Sequence, residues 1–243
     1  MKPLLLLNLM IVGGLLIFTE GAQSEELCHL EKDIKASDIQ YFQFSKTLDQ
    51  AYKERNATVL STCCVTEDQL GKLLCQLVAY LAEDRRGVEG FLKTFPHTEK
   101  EIRILWAADG IMSYAQKHNE PLPSIFSVNG PANTFIDELF SLVIKNNRLA
   151  VDRYFNLKTY ADGDYAEYMD DQLFKLFKQH PEIVVGQWNN IKNYKKVISG
   201  FVDYLDSSEL IEIERSIRSV CAFQGSQCVE IFDSLKKPAY PRT

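Results

Sequence analysis

An all-α fold is what this sequence predicts: an irregular multi-helix bundle or helical array of about eight to ten helices, stapled by disulfides. Three observations point there. Apolar residues recur at three- and four-residue spacing along most of the chain. Helix-start signals, such as Thr followed three residues on by Glu or Gln, punctuate that pattern. Strand-type residues are confined to 58–65, and a lone strand has no partner.

The first expected helix runs from about Asp38 to Arg55, with Phe44, Leu48, Ala51 and Tyr52 on its inner face. Thr66-Glu67-Asp68-Gln69 reads as a capping box. It opens a stripe of Leu70, Leu73, Leu74, Leu77, Val78 and Leu81. Arg85 and Arg86 follow near the C-terminal end, where cations suit the helix dipole. Thr98-Glu99-Lys100-Glu101 is a second box, and its helix carries Ile102, Leu105, Ala108, Met112 and Ala115 on one face.

Pro121, Pro123 and Pro131 lie in the next stretch, which predicts a long loop or a boundary. Beyond it Asn133 or Thr134 starts a helix with Phe135, Ile136, Leu139, Phe140 and Val143 inward. The following helix shows Tyr168, Met169, Gln172, Leu173, Leu176 and Phe177. His180 then precedes Pro181, a favoured first helical residue. Val184, Trp188, Ile191, Tyr194, Ile198, Phe201 and Leu205 make one continuous stripe. Ser207 or Ser208 caps a helix with Leu210, Ile213, Ile217 and Val220, and Cys228, Ile231, Phe232 and Leu235 close the series. Phe91–Phe95 before Trp106 is spaced as Leu173–Phe177 before Trp188, but the match is too short to make a repeat.

Residues 1–24 read as a secretory signal. Lys2 is the short positive region, Leu4 to Phe18 is apolar apart from Asn8 and two glycines, and Ala22-x-Ser24 places small residues before a cut at Glu25. The apolar run is shorter than the ~20 residues of a spanning helix. Residues 25–243 are expected to form a single all-α domain, which could divide into two halves near 119–132. The mature chain is expected to be secreted or extracellular (periplasmic in a bacterium) and soluble, with no membrane span after cleavage.

Six cysteines agree with that address: Cys28, Cys63, Cys64, Cys75, Cys221 and Cys228. Cys221 ends one apolar face and Cys228 begins the next, with Gly225-Ser226 between them, so these two are expected to pair across a helix corner. A loop that short contributes about 2–3 kcal/mol. Cys28, Cys63, Cys64 and Cys75 are expected to pair among themselves, Cys28 taking Cys63 or Cys64 and the other taking Cys75. Asn56-Ala57-Thr58 is a glycosylation sequon if the source is eukaryotic.

Chemistry-bearing patterns are sparse. With 27 Lys+Arg against 33 Asp+Glu the net charge is −6, which argues against a nucleic-acid partner. His29, His97, His118 and His180 form no metal-binding pair, and His97 and His180 read as turn and cap residues. No cofactor or metal is expected. The acids of 162–171 surround a Gly turn but miss the calcium-loop spacing, so Asp162 or Asp164 is expected to cap a helix instead. Tyr160, Asp162, Asp164, Tyr165 and Tyr168 make an aromatic and acidic patch, the binding surface the sequence puts forward. With no catalytic motif found, the expected function is binding of a protein or peptide partner. The alternatives are a carrier of a small hydrophobic ligand in a helix-lined cavity and a secreted hydrolase using acids from separate helices. Thiol labelling of the native protein should find almost no free cysteine, and two or more free thiols would overturn the disulfide assignment.

Overall fold

The structure is a computed structural model that describes residues 38–55, 68–82, 85–221 and 225–236. Every regular element among these is a helix. The chain divides into two compact units. One contains the described residues up to Phe95 together with Ile104–Ala132, and the other contains Pro96–Arg103 and the described residues from Asn133.

In the first unit, helix α1 (Asp38–Lys53) buries Phe44, Leu48 and Ala51, and also Phe42. Tyr52 is half-buried. Helix α2 (Gln69–Leu81) buries Leu70, Leu73, Leu74, Leu77 and Val78. Its cap is Asp68, whose Oδ2 accepts the Gly71 N–H at 2.6 Å, so the helix starts later than a Thr66 cap implies. Tyr41 on α1 donates to the other oxygen of Asp68 at 2.9 Å. Helix α3 (Arg85–Thr94) packs back on α2. Gly87 permits this approach, since a Cβ there would lie 2.5 Å from the Ala79 backbone.

The stripe expected on one helix after Thr98 is cut in two. Helix α4 (Glu99–Trp106) starts in the second unit, and helix α5 (Asp109–His118) follows a turn at Ala107-Ala108 in the first. The break shifts the register, so Ile111 is buried where Met112 was expected, while Ile102, Leu105, Ala108 and Ala115 remain buried. The second capping box forms as expected. Thr98 Oγ1 accepts the Glu101 N–H at 3.4 Å, and Glu101 accepts the N–H groups of Thr98 and His97 at 3.1 and 3.0 Å.

Asn119 ends α5 in the left-handed conformation, with φ 55°. The loop that follows is pinned from α1. Asp49 Oδ1 accepts the Ser124 hydroxyl at 2.7 Å and the Ile125 N–H at 3.0 Å, while Lys53 holds the other oxygen at 2.6 Å. Ile125 and Phe126 are thereby buried.

Helix α6 (Pro131–Ile144) starts two or three residues before the expected Asn133 or Thr134. Proline is tolerated at the first position, and the next N–H, of Ala132, is accepted by Asp109 Oδ1 at 3.0 Å. The cap thus comes from another helix rather than from the preceding residue. In the second unit α6 buries Phe135, Ile136, Leu139 and Val143. The turn after it carries Asn146, with φ 60°, and Asn147 Oδ1 caps helix α7 (Arg148–Tyr160) by accepting the Ala150 N–H at 3.1 Å.

Helix α8 (Gly163–Gln179) buries Met169, Gln172, Leu173, Leu176 and Phe177. The continuous stripe beyond His180 is broken into α9 (Pro181–Gly186), α10 (Trp188–Ile191) and α11 (Lys195–Tyr204). At the second break a side-chain amide competes with the ladder, Asn193 Nδ2 donating to the Asn189 carbonyl at 3.3 Å, while at the first Asn190 Nδ2 donates to the Gln187 side chain at 2.7 Å. Val184, Trp188, Ile191, Ile198, Phe201 and Leu205 stay buried even so. Helix α12 (Ser207–Cys221) is capped by Asp206 rather than by Ser207 or Ser208. Asp206 Oδ1 accepts the N–H groups of Ser208 and Glu209 at 2.7 and 2.8 Å, and Glu209 returns a bond to the Asp206 N–H at 2.9 Å. Helix α13 (Gly225–Ser234) packs on α12 and is tied to it by the Cys221–Cys228 disulfide, Cα–Cα 5.9 Å.

Cys75 is also disulfide-bonded. Cys28, Cys63 and Cys64 lie outside the described residues, as do residues 1–24, Asn56 and Thr66. No helix among the described residues is long and apolar enough to cross a membrane.

Burial pushes the Asp49 carboxyl up, but Lys53 and Ser124 outweigh it and hold the group below the ordinary carboxylate range. A lowered folded value adds stability above the unfolded-state value of about 3.9, lost as pH falls through the folded one. Asp49→Asn should therefore cost about 1–2 kcal/mol at neutral pH. Thermal melts across pH should show its deficit shrinking below about pH 4.

Candidate functional site

The residues singled out by the sequence lie around the turn between α7 and α8. Tyr160 is exposed, as are Asp162 and Asp164, while Tyr165 and Tyr168 are half-buried. Asp162 occupies the cap position of α8, but its side chain makes no capping bond, so the expected cap does not form there. Asp164 sits in the first turn, where a carboxylate suits the helix dipole. Tyr168 points away from that turn and donates to Asp137 Oδ1 at 2.5 Å. Among the described residues no group of three His, Cys, Asp or Glu side chains could hold a metal. His97 lies 3.1 Å from Glu101, His180 3.6 Å from Glu182, and His118 stacks on Tyr114.

Behind the patch lies a polar network. Asp137 Oδ1 also accepts from Gln172 Nε2 at 2.8 Å. Gln172 Oε1 stands 3.1 Å from the buried Tyr154 hydroxyl, which donates to the Met169 carbonyl at 3.0 Å. Burial, then the charge of Asp170, pushes the Tyr154 phenol well above its ordinary value, so it remains a donor.

A buried ion pair joins α7 and α8. Lys158 Nζ lies 2.8 Å from Asp170 Oδ2, with the two side chains only 8% and 9% exposed. Lys158 also donates to the Ala166 carbonyl at 2.7 Å. Asp170 Oδ1 is buried without a hydrogen-bond partner. Burial pushes the Asp170 carboxyl up; Lys158 pulls it down, and the nearby Asp171 and Glu167 add to the upward push, which prevails.

Two depressions open in this unit. A pocket of about 230 Å³ lies over the ion pair, lined by Lys158, Thr159, Asp170, Lys196, Val197, Gly200 and Phe201. A larger groove of about 670 Å³ runs between α10, α11 and α13. Trp188, Ile198 and Val202 contribute its apolar lining, and Lys192, Lys195, Glu230, Asp233 and Lys236 its charges. Glu230 ties the groove together, accepting the Trp188 indole N–H at 3.3 Å and the Lys192 ammonium at 3.2 Å.

None of the residues around either depression was among the candidates from sequence. Lys158 carried a usable signal. It stands one turn beyond Tyr154 and two beyond Val151, where the stripe of α7 calls for an apolar residue. Asp170 likewise interrupts the run between Met169 and Leu173. Charges in core register need partners, and these two are each other's. The groove had no such mark, because α10, α11 and α13 meet only in three dimensions.

No protein-family model, no curated protein and no solved structure matches this chain. Asp170→Ala should cost about 3–5 kcal/mol in urea denaturation, because it strands a buried ammonium. The double variant Lys158→Met with Asp170→Leu should stay within about 1 kcal/mol of the parent. Equal losses in both would contradict an ion pair held in low dielectric.

Proposed function

We propose that this protein acts by binding a protein or peptide partner, with the groove between α10, α11 and α13 as the receiving surface. The observation that carries the reading is the make-up of that groove. It combines an aromatic and aliphatic lining with a charged rim, in a depression of about 670 Å³ that opens to solvent. Both depressions are open and partly polar, which favours a peptide over a hydrophobic ligand enclosed in a cavity.

The rim narrows the chemistry of the partner. Lys192 pairs with Glu230, and Lys236 with Asp233 at 2.6 Å. Lys195 is exposed and makes no ion pair among the described residues. The segment that fits best carries a large apolar side chain for Trp188, Ile198 and Val202, flanked by one carboxylate for Lys195. The exposed turn of Tyr160, Asp162 and Asp164 is a further contact surface in this reading. Export, the address expected from residues 1–24, belongs to the same proposal, and disulfides persist in such oxidising compartments.

Selection of a random peptide library on the purified protein tests the idea. Enriched peptides should share an apolar residue beside an acid and should shift the emission of Trp188 in a Trp106→Phe background. Lys195→Glu should weaken them about tenfold, and Ser199→Trp, on the exposed groove wall, should block them. Peptides indifferent to both substitutions would place binding elsewhere.

A further inference from the structure

We infer that Asp162-Gly163, in the turn between α7 and α8, is a site of spontaneous modification, where the peptide link rearranges through a cyclic imide to an isoaspartyl link. The inference rests on the geometry of that dipeptide and does not depend on the peptide groove.

In this reaction the backbone nitrogen of one residue attacks the side-chain carbonyl carbon of the Asp or Asn before it. It needs a small following residue, a backbone N–H that is not already bonded, and a side chain free to swing onto it. Glycine follows Asp or Asn at three places in the chain: Asp109-Gly110, Asn129-Gly130 and Asp162-Gly163. Composition alone ranks Asn129 first, because an amide is a better electrophile than an ionised carboxylate.

The fold reverses that order. Gly110 donates its N–H to the Ala107 carbonyl at 3.0 Å, and Asp109 Oδ1 is held by the Ala132 N–H at 3.0 Å. A Cβ at Gly110 would lie 2.3 Å from Asp38 Oδ1, so that dipeptide is also crowded. Gly130 is buried and donates to the Ser127 carbonyl at 3.1 Å. Asp162 and Gly163 are both exposed. The Asp162 carboxyl makes no capping bond, and Arg103, a cation that feels its charge, is bonded to Glu99 at 2.7 Å. The Gly163 N–H stands at the open start of α8, where a helix has no internal acceptor, and makes no hydrogen bond among the described residues. A Cβ at 163 would meet nothing within 4 Å, so an imide ring has room to form.

Water is the one co-reactant. The Gly163 nitrogen bonds to Asp162 Cγ in its acid form, the Cγ–OH bond breaks, and the hydroxyl leaves with the amide proton as water. A water molecule then adds to the former main-chain carbonyl of Asp162. Opening of that C–N bond leaves the chain running through Cβ and Cγ, with the carboxylate directly on Cα. The mass is unchanged, but the main chain gains a methylene in the exposed turn of Tyr160, Asp162 and Asp164.

Ageing the full chain in water enriched in heavy oxygen tests this, with one sample native and one in concentrated urea. A pH of about 5 gives any carboxyl more of its acid form than neutral pH does. Each passage through the imide leaves one heavy oxygen in the peptide, and chromatography separates the isoaspartyl form. Folding should slow Asp109 and Asn129 by at least about tenfold relative to urea, because their glycine N–H groups must first be released. It should slow Asp162 by less than about twofold. Asp162→Asn then compares like with like at neutral pH, since both 162 and 129 precede glycine as Asn. In the native variant residue 162 should deamidate at least about tenfold faster than Asn129. Should that variant fail to fold, the native-to-urea ratios of the parent chain decide alone. Equal protection of the three sites, or Asn129 reacting as fast as residue 162 in the variant, would overturn the proposal.

Discussion

Each helix leaves four amide N–H groups and four carbonyls without an internal partner, and in helices of about ten residues those ends are most of the element. Seven of the helices among the described residues have ten residues or fewer: α3, α4, α5, α9, α10, α11 and α13. Supplying acceptors for the exposed N–H groups is therefore a constraint on the chain. At α5, α9, α10 and α11 no side chain caps the first turn, whereas short acidic and amide side chains do so at longer helices. Asp68, Asn147 and Asp206 cap the helix that follows them. Asp109 caps a helix that begins 22 positions later, at Pro131, and Asp49 holds a loop N–H 76 positions away. Those last two bonds turn a local requirement into tertiary structure.

The same constraint explains what was legible in the sequence. Apolar spacing reports which side of a helix is buried, and that survives even when the helix is cut. Ile102, Leu105, Val184, Trp188 and Ile198 are all buried although the two stripes they belong to are broken. Spacing does not report where a helix stops. Ala107-Ala108 carries no stop signal, and the break there moved burial from Met112 to Ile111. The Cys221–Cys228 bridge was legible because a Gly-Ser helix stop and start brings the two within a short loop. The Thr98 box was legible because both of its bonds are local. The Asp109 cap was not, because its acceptor and donor are brought together only by the fold.

Charge in the second unit follows a related rule. Lys158 and Asp170 occupy positions where their own helices would place apolar side chains, and an ion pair there is weak evidence for net stability. What the pair does is fix geometry. Lys158 bridges to the Ala166 carbonyl as well, so α7 and the first turns of α8 are held in one register. The Tyr154, Gln172 and Asp137 bonds extend that register to α6. Tyr168 is drawn into this network through Asp137, which separates it from the exposed Tyr160 with which the sequence groups it.

Helix α11 brings these threads together, because it walls both depressions with alternate faces. Lys195, Ile198, Ser199 and Val202 line the groove, while Lys196, Val197, Gly200 and Phe201 line the pocket. Each set follows the three-and-four spacing of a helix face, offset from the other by two residues, so the two faces lie on nearly opposite sides of the helix. An amphipathic helix with a single buried side shows one such set against a polar remainder. Here each face is part apolar and part cationic, so the stripe reading of Ile198, Phe201 and Leu205 caught the seam between the faces and neither face itself. Lys195 falls on the groove face and Lys196 on the pocket face. Two adjacent lysines at a helix start are unfavourable against the dipole. Both are exposed, so water screens that cost.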